Sequence, residues 1–225
     1  TRGGRADVLR AHRFRRQEPG GTTRAVLDPA TPEEAAAGDA DLGITARKIA
    51  EGIRAANASL SGDLKSDLML VGKEISKFAS STFGTLFATG FIRASAAVSS
   101  DDDALTNTRK SFQAAFDGIS ARGKAALGER TLLDALHPAI EALNSAKDLK
   151  SGLSQAAIAA RSGATATANM MPKHGRAGWI GERAKGIEDA GGFQAAGYQL
   201  GLGQLEVVDE LGDVGADDDH ILAAA

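Results

Sequence analysis

Asp39 and Asp41 stand at i and i+2 in Gly38-Asp39-Ala40-Asp41-Leu42-Gly43, bracketed by glycines and set just ahead of a helical pattern. Two carboxylates at that spacing form a compact set of hard oxygen donors of the kind Mg²⁺ or Ca²⁺ accepts. By itself an Asp-x-Asp run is more often a solvated turn. A second stretch changes the balance: Gly175-Arg176-Ala177-Gly178-Trp179-Ile180-Gly181-Glu182-Arg183 combines glycines with arginines. A polyphosphate held through a metal also needs backbone N–H groups and cations on its other side, and this loop supplies both. The two stretches therefore suggest one site.

Composition narrows what can surround that site. The 225 residues favour one domain, and hydrophobic residues make up 43% against 4% aromatics, with 27 glycines. A core of aliphatic and small side chains suits close-packed helices better than a β-sandwich. With Cys 0, thiol catalysis, disulfides and cysteine-based zinc sites are excluded. The net charge of −3 hides opposed ends: Arg2, Arg5, Arg10, Arg13, Arg15, Arg16 and Arg24 against Asp7 and Glu18 at the start, and acids without Lys or Arg over residues 205–225. Without an accompanying aromatic or glycine-rich recognition module, both ends read as solvated tails rather than a nucleic-acid arm. No apolar run approaches the roughly 20 residues of a membrane span, and the Arg-rich start lacks the apolar core of a secretory signal. The expectation is a soluble, cytoplasmic protein.

The elements that must position the acids and glycines are helical. Pro19-Gly20-Gly21 and Pro29 to Pro32 break any long early helix, and Glu33 to Ala37 gives at most a short turn. From Thr45, Ile49 and Ile53 repeat by four beside Ala46 and Ala50, so the Asp-x-Asp loop feeds a helix N-terminus. Asp63 is positioned to cap a helix whose Leu64, Leu68, Val71, Ile75 and Phe78 form one apolar stripe, expected to be buried. Ser80-Ser81-Thr82-Phe83-Gly84 opens the next helix, through Leu86, Phe87, Phe91, Ile92 and Ala94, and capping explains its hydroxyls best. Asp101-Asp102-Asp103 reads as a helix start ahead of Leu105, Phe112, Phe116 and Ile119, not as a metal site. Gly128-Glu129-Arg130-Thr131 turns into Leu132, Leu133, Leu136, Ile140 and Leu143, with Pro138 expected to kink the helix near Asp134. Residues 150–171 are a small-residue helix suited to close packing, and Phe193, Ala196 and Leu200 suggest a last one. His174 reads as a solvated loop residue. No alternating strand pattern is present. The fold class is all-α, an up-and-down antiparallel bundle or barrel of about eight helices, in which turns at 38–43, 80–84, 128–131 and 175–192 can converge on one rim.

Those four turns carry a resemblance. Gly38-Asp39-Ala40-Asp41-x-Gly43, Gly84 with Leu86-Phe87, Gly128-x-x-Thr131-Leu132-x-Asp134 and Gly175-Arg176-Ala177-x-x-x-Gly181-Glu182-Arg183 look like the ADP/ATP-binding domain of dihydroxyacetone kinases, which in phosphotransferase-dependent bacteria is the separate DhaL subunit. The match runs from about residue 38 to 203, in the family's order and spacing. It implies a barrel of antiparallel helices whose rim holds ADP or ATP, with Mg²⁺ bridging the phosphates to three acids. Asp39 and Asp41 match the second and third acids; Glu34 stands where the first is expected, and Asp28 competes for that place. Gly43, Thr82, Gly84, Gly128, Thr131, Arg176, Gly181 and Asp189 match the positions around the nucleotide, Arg176 and Asp189 in the loop that covers it. Leu42 stands where the family usually has His, Phe83 replaces a small hydroxyl residue, Glu129-Arg130 replaces Asp-Lys and Ala190 replaces a proline. The ketose, held covalently through a histidine in the family, belongs to a separate DhaK-type subunit or domain, so the resemblance implies such a partner and either ATP or a phosphotransferase-system phosphoryl donor. The implied organisation is a basic tail at 1–27, a nucleotide-binding helical domain at 28–204 and an acidic tail at 205–225. A non-catalytic relative that binds nucleotide or a regulatory partner is the rival reading.

Overall fold

The computed structural model describes residues 42–175, 178, 181, 186–189, 191 and 192. Six α-helices occupy that span: α1 (Leu42–Asn57), α2 (Leu64–Phe78), α3 (Thr82–Ala97), α4 (Ala104–Gly123), α5 (Leu132–Ser145) and α6 (Leu149–Ala166), with a 3₁₀ turn at Thr167–Asn169. Among the described residues there are no strands. Helix α1 begins three residues earlier than the apolar periodicity indicated, because Leu42 and Gly43 are buried in its first turn. The expected last helix around Phe193 to Leu200, both tails and the segment before Leu42 lie outside the described residues.

Side-chain caps set most of the helix starts. Asp63 accepts from the Ser66 N–H, Ser81 from Gly84, Asp103 from Thr106 and Asp148 from Ser151. Each satisfies an N–H that has no partner inside its helix. Thr131 and Asp134 form a full capping box on α5. Each helix packs mainly on the next in the chain, and short connections make such neighbours antiparallel.

Three apolar clusters form the core. Ile49, Ile75, Ala79 and Ala88 join α1, α2 and α3; Ile119, Leu132, Leu133, Leu136 and Ile140 join α4 and α5; Ala135, Ala139, Leu143, Ala156, Ala160 and Ala164 join α5 and α6. Phe83 and Phe87 pack against the first two, and Phe112 against the last two. The aromatic minority thus stitches an otherwise aliphatic interior together. The α2 stripe is buried only in part: Ile75 is 0% exposed, whereas Phe78, the last residue of the helix, is 39% exposed. Helix α5 runs through Pro138 as one element. Proline cannot donate to the Asp134 carbonyl four residues back. Gly163 of α6 packs against that carbonyl so closely that a Cβ on it would lie 2.4 Å from Asp134 O.

Candidate functional site

The end of the bundle carrying the starts of α1, α3 and α5 gathers the glycine and hydroxyl turns. Thr45, in the first turn of α1, donates from Oγ1 to Ser81 Oγ at 3.1 Å, and the same Ser81 oxygen accepts from the Gly84 N–H at 3.1 Å. Thr82 is exposed beside this cap, and Gly84 is buried. Gly84 is required by space: a Cβ there would meet Ala79 O at 2.4 Å and Ala79 Cβ at 2.6 Å. Phe83 turns inward, stacked on Phe87 with ring centroids 5.9 Å apart. The replacement of a small residue by Phe therefore fills the core rather than the exposed side of the turn.

The α5 turn is held by one carboxylate. Asp134, 7% exposed, accepts from the Gly128 N–H at 2.6 Å and the Thr131 N–H at 2.8 Å. Gly128 has φ +81°, the left-handed region that glycine enters without strain. Thr131 Oγ1 accepts from Leu133 N at 3.2 Å.

The downstream loop meets both turns. The Asp189 N–H donates to Thr167 Oγ1 at 2.7 Å, and Asp189 Oδ2 accepts from Gly192 N at 2.6 Å. Gly191 abuts Phe83, since a Cβ on it would lie 2.9 Å from the ring, and a Cβ on Gly192 would lie 3.6 Å from Ala135 Cβ. Arg130 Nη2 donates to the Glu188 carbonyl at 3.5 Å. Expected to be solvated, His174 is instead engaged: its Nε2 lies 2.6 Å from Glu129 Oε2, and Lys173 Nζ lies 3.2 Å from Glu129 Oε1. These contacts, first the His174 bond, then the Ala126 N–H and Lys173, hold the Glu129 carboxyl down to about 2.

Of the residues singled out in the sequence, Gly43, Thr82, Gly84, Gly128, Thr131 and Asp189 thus fall at or beside this end, and Gly181 adopts φ +55°. Glu34, Asp39, Asp41, the competitor Asp28 and Arg176 lie outside the described residues. Sequence reasoning missed Thr45, Thr167 and the Glu129–His174 contact; for Asp134 the Thr131-x-x-Asp134 spacing was itself a capping-box signal.

Three helix starts at one end bring together the positive ends of the helix dipoles, which suits a polyphosphate. In the sequence, Asp41 directly precedes Leu42, the first residue of α1. Among the described residues no group of three or more His, Asp or Glu is placed to hold a metal.

Residues 36–200 match the family model of the DAK2 domain. The chain belongs to that family. It is 31% identical over 173 residues to the ADP-binding subunit DhaL of the PEP-dependent dihydroxyacetone kinase 1 of Listeria innocua, covering 76% of this chain and 84% of that one. It is likewise 31% identical over 160 residues to the ADP-binding subunit DhaL of the Escherichia coli PEP-dependent dihydroxyacetone kinase, covering 68% and 76%. The L-erythrulose 1-kinase of Mycolicibacterium smegmatis matches at 31% identity over 76% of this chain, which spans 31% of that protein. The crystal structure of the dihydroxyacetone kinase of C. freundii shares the fold, with a TM-score of 0.63 at 22% identity over 81% of this chain and 32% of that one. The described part of this DAK2 chain is therefore all-helical, and these relatives are kinases or kinase subunits. Among its described residues no helix is long and apolar enough to cross a membrane.

Proposed function

We propose that this DAK2 chain is the nucleotide- and Mg²⁺-binding part of a kinase for dihydroxyacetone or a related short ketose. Residues 28–204 form its nucleotide-binding domain, an up-and-down barrel of about eight helices, flanked by a basic tail at 1–27 and an acidic tail at 205–225. The observation that carries this reading is the convergence of the Ser81–Gly84 turn, the Gly128–Thr131 turn and the Asp189–Gly192 cap at the end where α1 starts.

Phosphoryl transfer asks mainly for positioning and charge neutralisation. Thr82 and the buried Gly84 present the α3 start to phosphate, Gly128 and Thr131 shape the wall beside the nucleotide, and Arg176 and Gly181 of the glycine-rich segment cover it with Asp189 at its end. Gly43 keeps the first turn of α1 close to the bound phosphates. Asp39 and Asp41, with Glu34 or Asp28 as the third acid, would hold Mg²⁺, which when bound neutralises phosphate oxygens as charge develops. No general base is assigned to this chain. The ketose is presented by a DhaK-type partner subunit or domain, and the donor is ATP or a phosphotransferase-system component that rephosphorylates bound ADP. The setting is cytoplasmic, with neither nucleic acid nor membrane as partner.

A second reading has one specific observation behind it. Leu42, at the position where kinases of this family usually carry His, is an apolar residue only 8% exposed at the start of α1. This favours a relative that binds nucleotide without transferring phosphoryl groups. Mixing the chain with a DhaK-type subunit, dihydroxyacetone and Mg²⁺ decides between them. Dihydroxyacetone phosphate formed from ATP, or from a phosphotransferase donor with catalytic ADP, supports the kinase; nucleotide binding with no product under either donor supports the rival.

A further inference from the structure

Where α6 ends, one buried hydroxyl joins two stretches of chain. Thr167 follows the helix directly and is 0% exposed. Its Oγ1 donates its single proton to the Ala164 carbonyl, which leaves the oxygen lone pairs to accept, and they accept from the Asp189 N–H at 2.7 Å. The backbone alongside is tied as well, the Gly186 N–H donating to the Ala168 carbonyl at 2.9 Å. Asp189 passes this placement on. Its Oδ2 accepts from the Gly192 N–H at 2.6 Å, in the manner of an N-cap, and Gly191 and Gly192 are helical. Both glycines are buried against the candidate site: a Cβ on Gly191 would lie 2.9 Å from the Phe83 ring at the start of α3, and one on Gly192 would lie 3.6 Å from Ala135 Cβ in the first turn of α5.

A threonine at a helix end often does no more than bond back to its own helix. Two observations set Thr167 apart. The Thr167 N–H also donates to the Ala164 carbonyl, so that carbonyl keeps a partner without the hydroxyl, and what the hydroxyl adds is the bond to Asp189. The side chain is also fully buried, out of reach of any ligand. It can act on the site only by placing what it holds.

We propose that Thr167 is a positioning residue for the nucleotide site, setting the Asp189 carboxylate and the helical residues Gly191 and Gly192 against the α3 and α5 turns. The proposal rests on the nucleotide reading above. Its test uses the full chain with Thr167→Val, which removes the hydroxyl and keeps the branched shape, and Thr167→Ser, which keeps the hydroxyl. Amide hydrogen exchange followed by NMR needs no nucleotide. In Thr167→Val the Asp189 and Gly192 amides should exchange about tenfold faster, while those of Ile75 and Leu143 in the core keep the wild-type rate; in Thr167→Ser most of the protection should remain. Calorimetric titration with ADP and Mg²⁺ reads the site. Thr167→Val should bind about tenfold more weakly, the scale of one hydrogen bond, and Thr167→Ser within about twofold of wild type. In an Asp189→Ala background Thr167→Val should cost little more, because both changes act through the same cap. Thr167→Ala gives the same reading where the valine variant does not fold. Unchanged exchange at Asp189 would overturn the hold. Faster exchange with unchanged ADP affinity, or an equal loss of affinity in the Asp189→Ala background, would overturn the positioning role. Wild-type protein that binds no ADP would instead refute the nucleotide reading, with the exchange result still judging the hold.

Discussion

Replacing Asp134 with Ala removes the one carboxylate that holds the α5 turn. Its two oxygens accept from Gly128 N at 2.6 Å and Thr131 N at 2.8 Å, and the side chain is 7% exposed. A hydrogen bond to a charged group contributes about 1.5–3 kcal/mol, and stranding a buried donor costs about 1–3 kcal/mol. Gly128 is exposed, so water can replace one partner; Thr131 is half-buried, so its N–H is the one left poorly satisfied. The expected loss is therefore about 3 kcal/mol, near the low end of the sum of two such bonds. Asp134→Asn retains one acceptor and turns an amide NH₂ toward a backbone donor, for an expected cost of about 2 kcal/mol. Urea unfolding followed by far-ultraviolet circular dichroism is the assay. With a slope of about 2 kcal/mol/M, the midpoint of Asp134→Ala should fall by about 1.5 M at unchanged slope. A loss below about 1 kcal/mol, or Asp134→Asn matching wild type, would refute the assignment of Asp134 as the fastener of this turn.

Other perturbations test neighbouring parts of the account. Gly84→Ala should destabilise by about 1–3 kcal/mol despite the better helix propensity of alanine, because its methyl would collide with the Ala79 backbone at 2.4 Å; a stabilised variant in urea unfolding would contradict the close approach. Phe83→Ser, which restores a small hydroxyl, should cost about 2–4 kcal/mol in the same assay and bring no gain in ADP affinity, since the ring packs against two core clusters and not toward phosphate. The Glu129 carboxyl is held at about 2, below the 4.5 of an ordinary glutamate, so its contribution to stability is present above about 4.5 and is lost as pH falls toward 2. The difference in melting temperature between wild type and Glu129→Gln should accordingly be larger at pH 5 than at pH 2.5; an equal difference at both would show that the charge is not what Glu129 contributes.

What the sequence made legible was local. Asp63, Ser81, Asp103 and Thr131 could be read as helix starts because a cap bonds two or three residues along the chain, and all of them cap in the structure. The helix read through Leu86, Phe87 and Phe91 likewise forms, and within it Phe83, Phe87 and Phe91 make a ladder of rings, 5.9 and 5.7 Å between centroids. Aligned on family motifs alone, Phe83 looked like an intrusion into a phosphate turn; its helical phase turns it inward instead. Contacts that join distant segments had no comparable signal. His174 reaches Glu129 across 45 positions, and Thr167, one threonine in a run of small residues, meets Asp189 across 22. Phe78 is more exposed than the stripe suggests because periodicity identifies an apolar stripe without saying how far a neighbouring helix extends over it. The buried Asp67, which accepts from Ser61 N, Ser61 Oγ and Gly62 N, was passed over because an acid between two apolar positions reads as solvent-facing.

The central claim is that the acids ahead of α1 and the turns gathered at its start form one metal-dependent nucleotide site. Calorimetric titration of ADP into the full chain, with and without Mg²⁺, measures this directly when repeated on Asp39→Asn with Asp41→Asn. The account predicts binding that depends on Mg²⁺ and is lost in the double variant. Binding that is indifferent to Mg²⁺, or unchanged in the double variant, would contradict it.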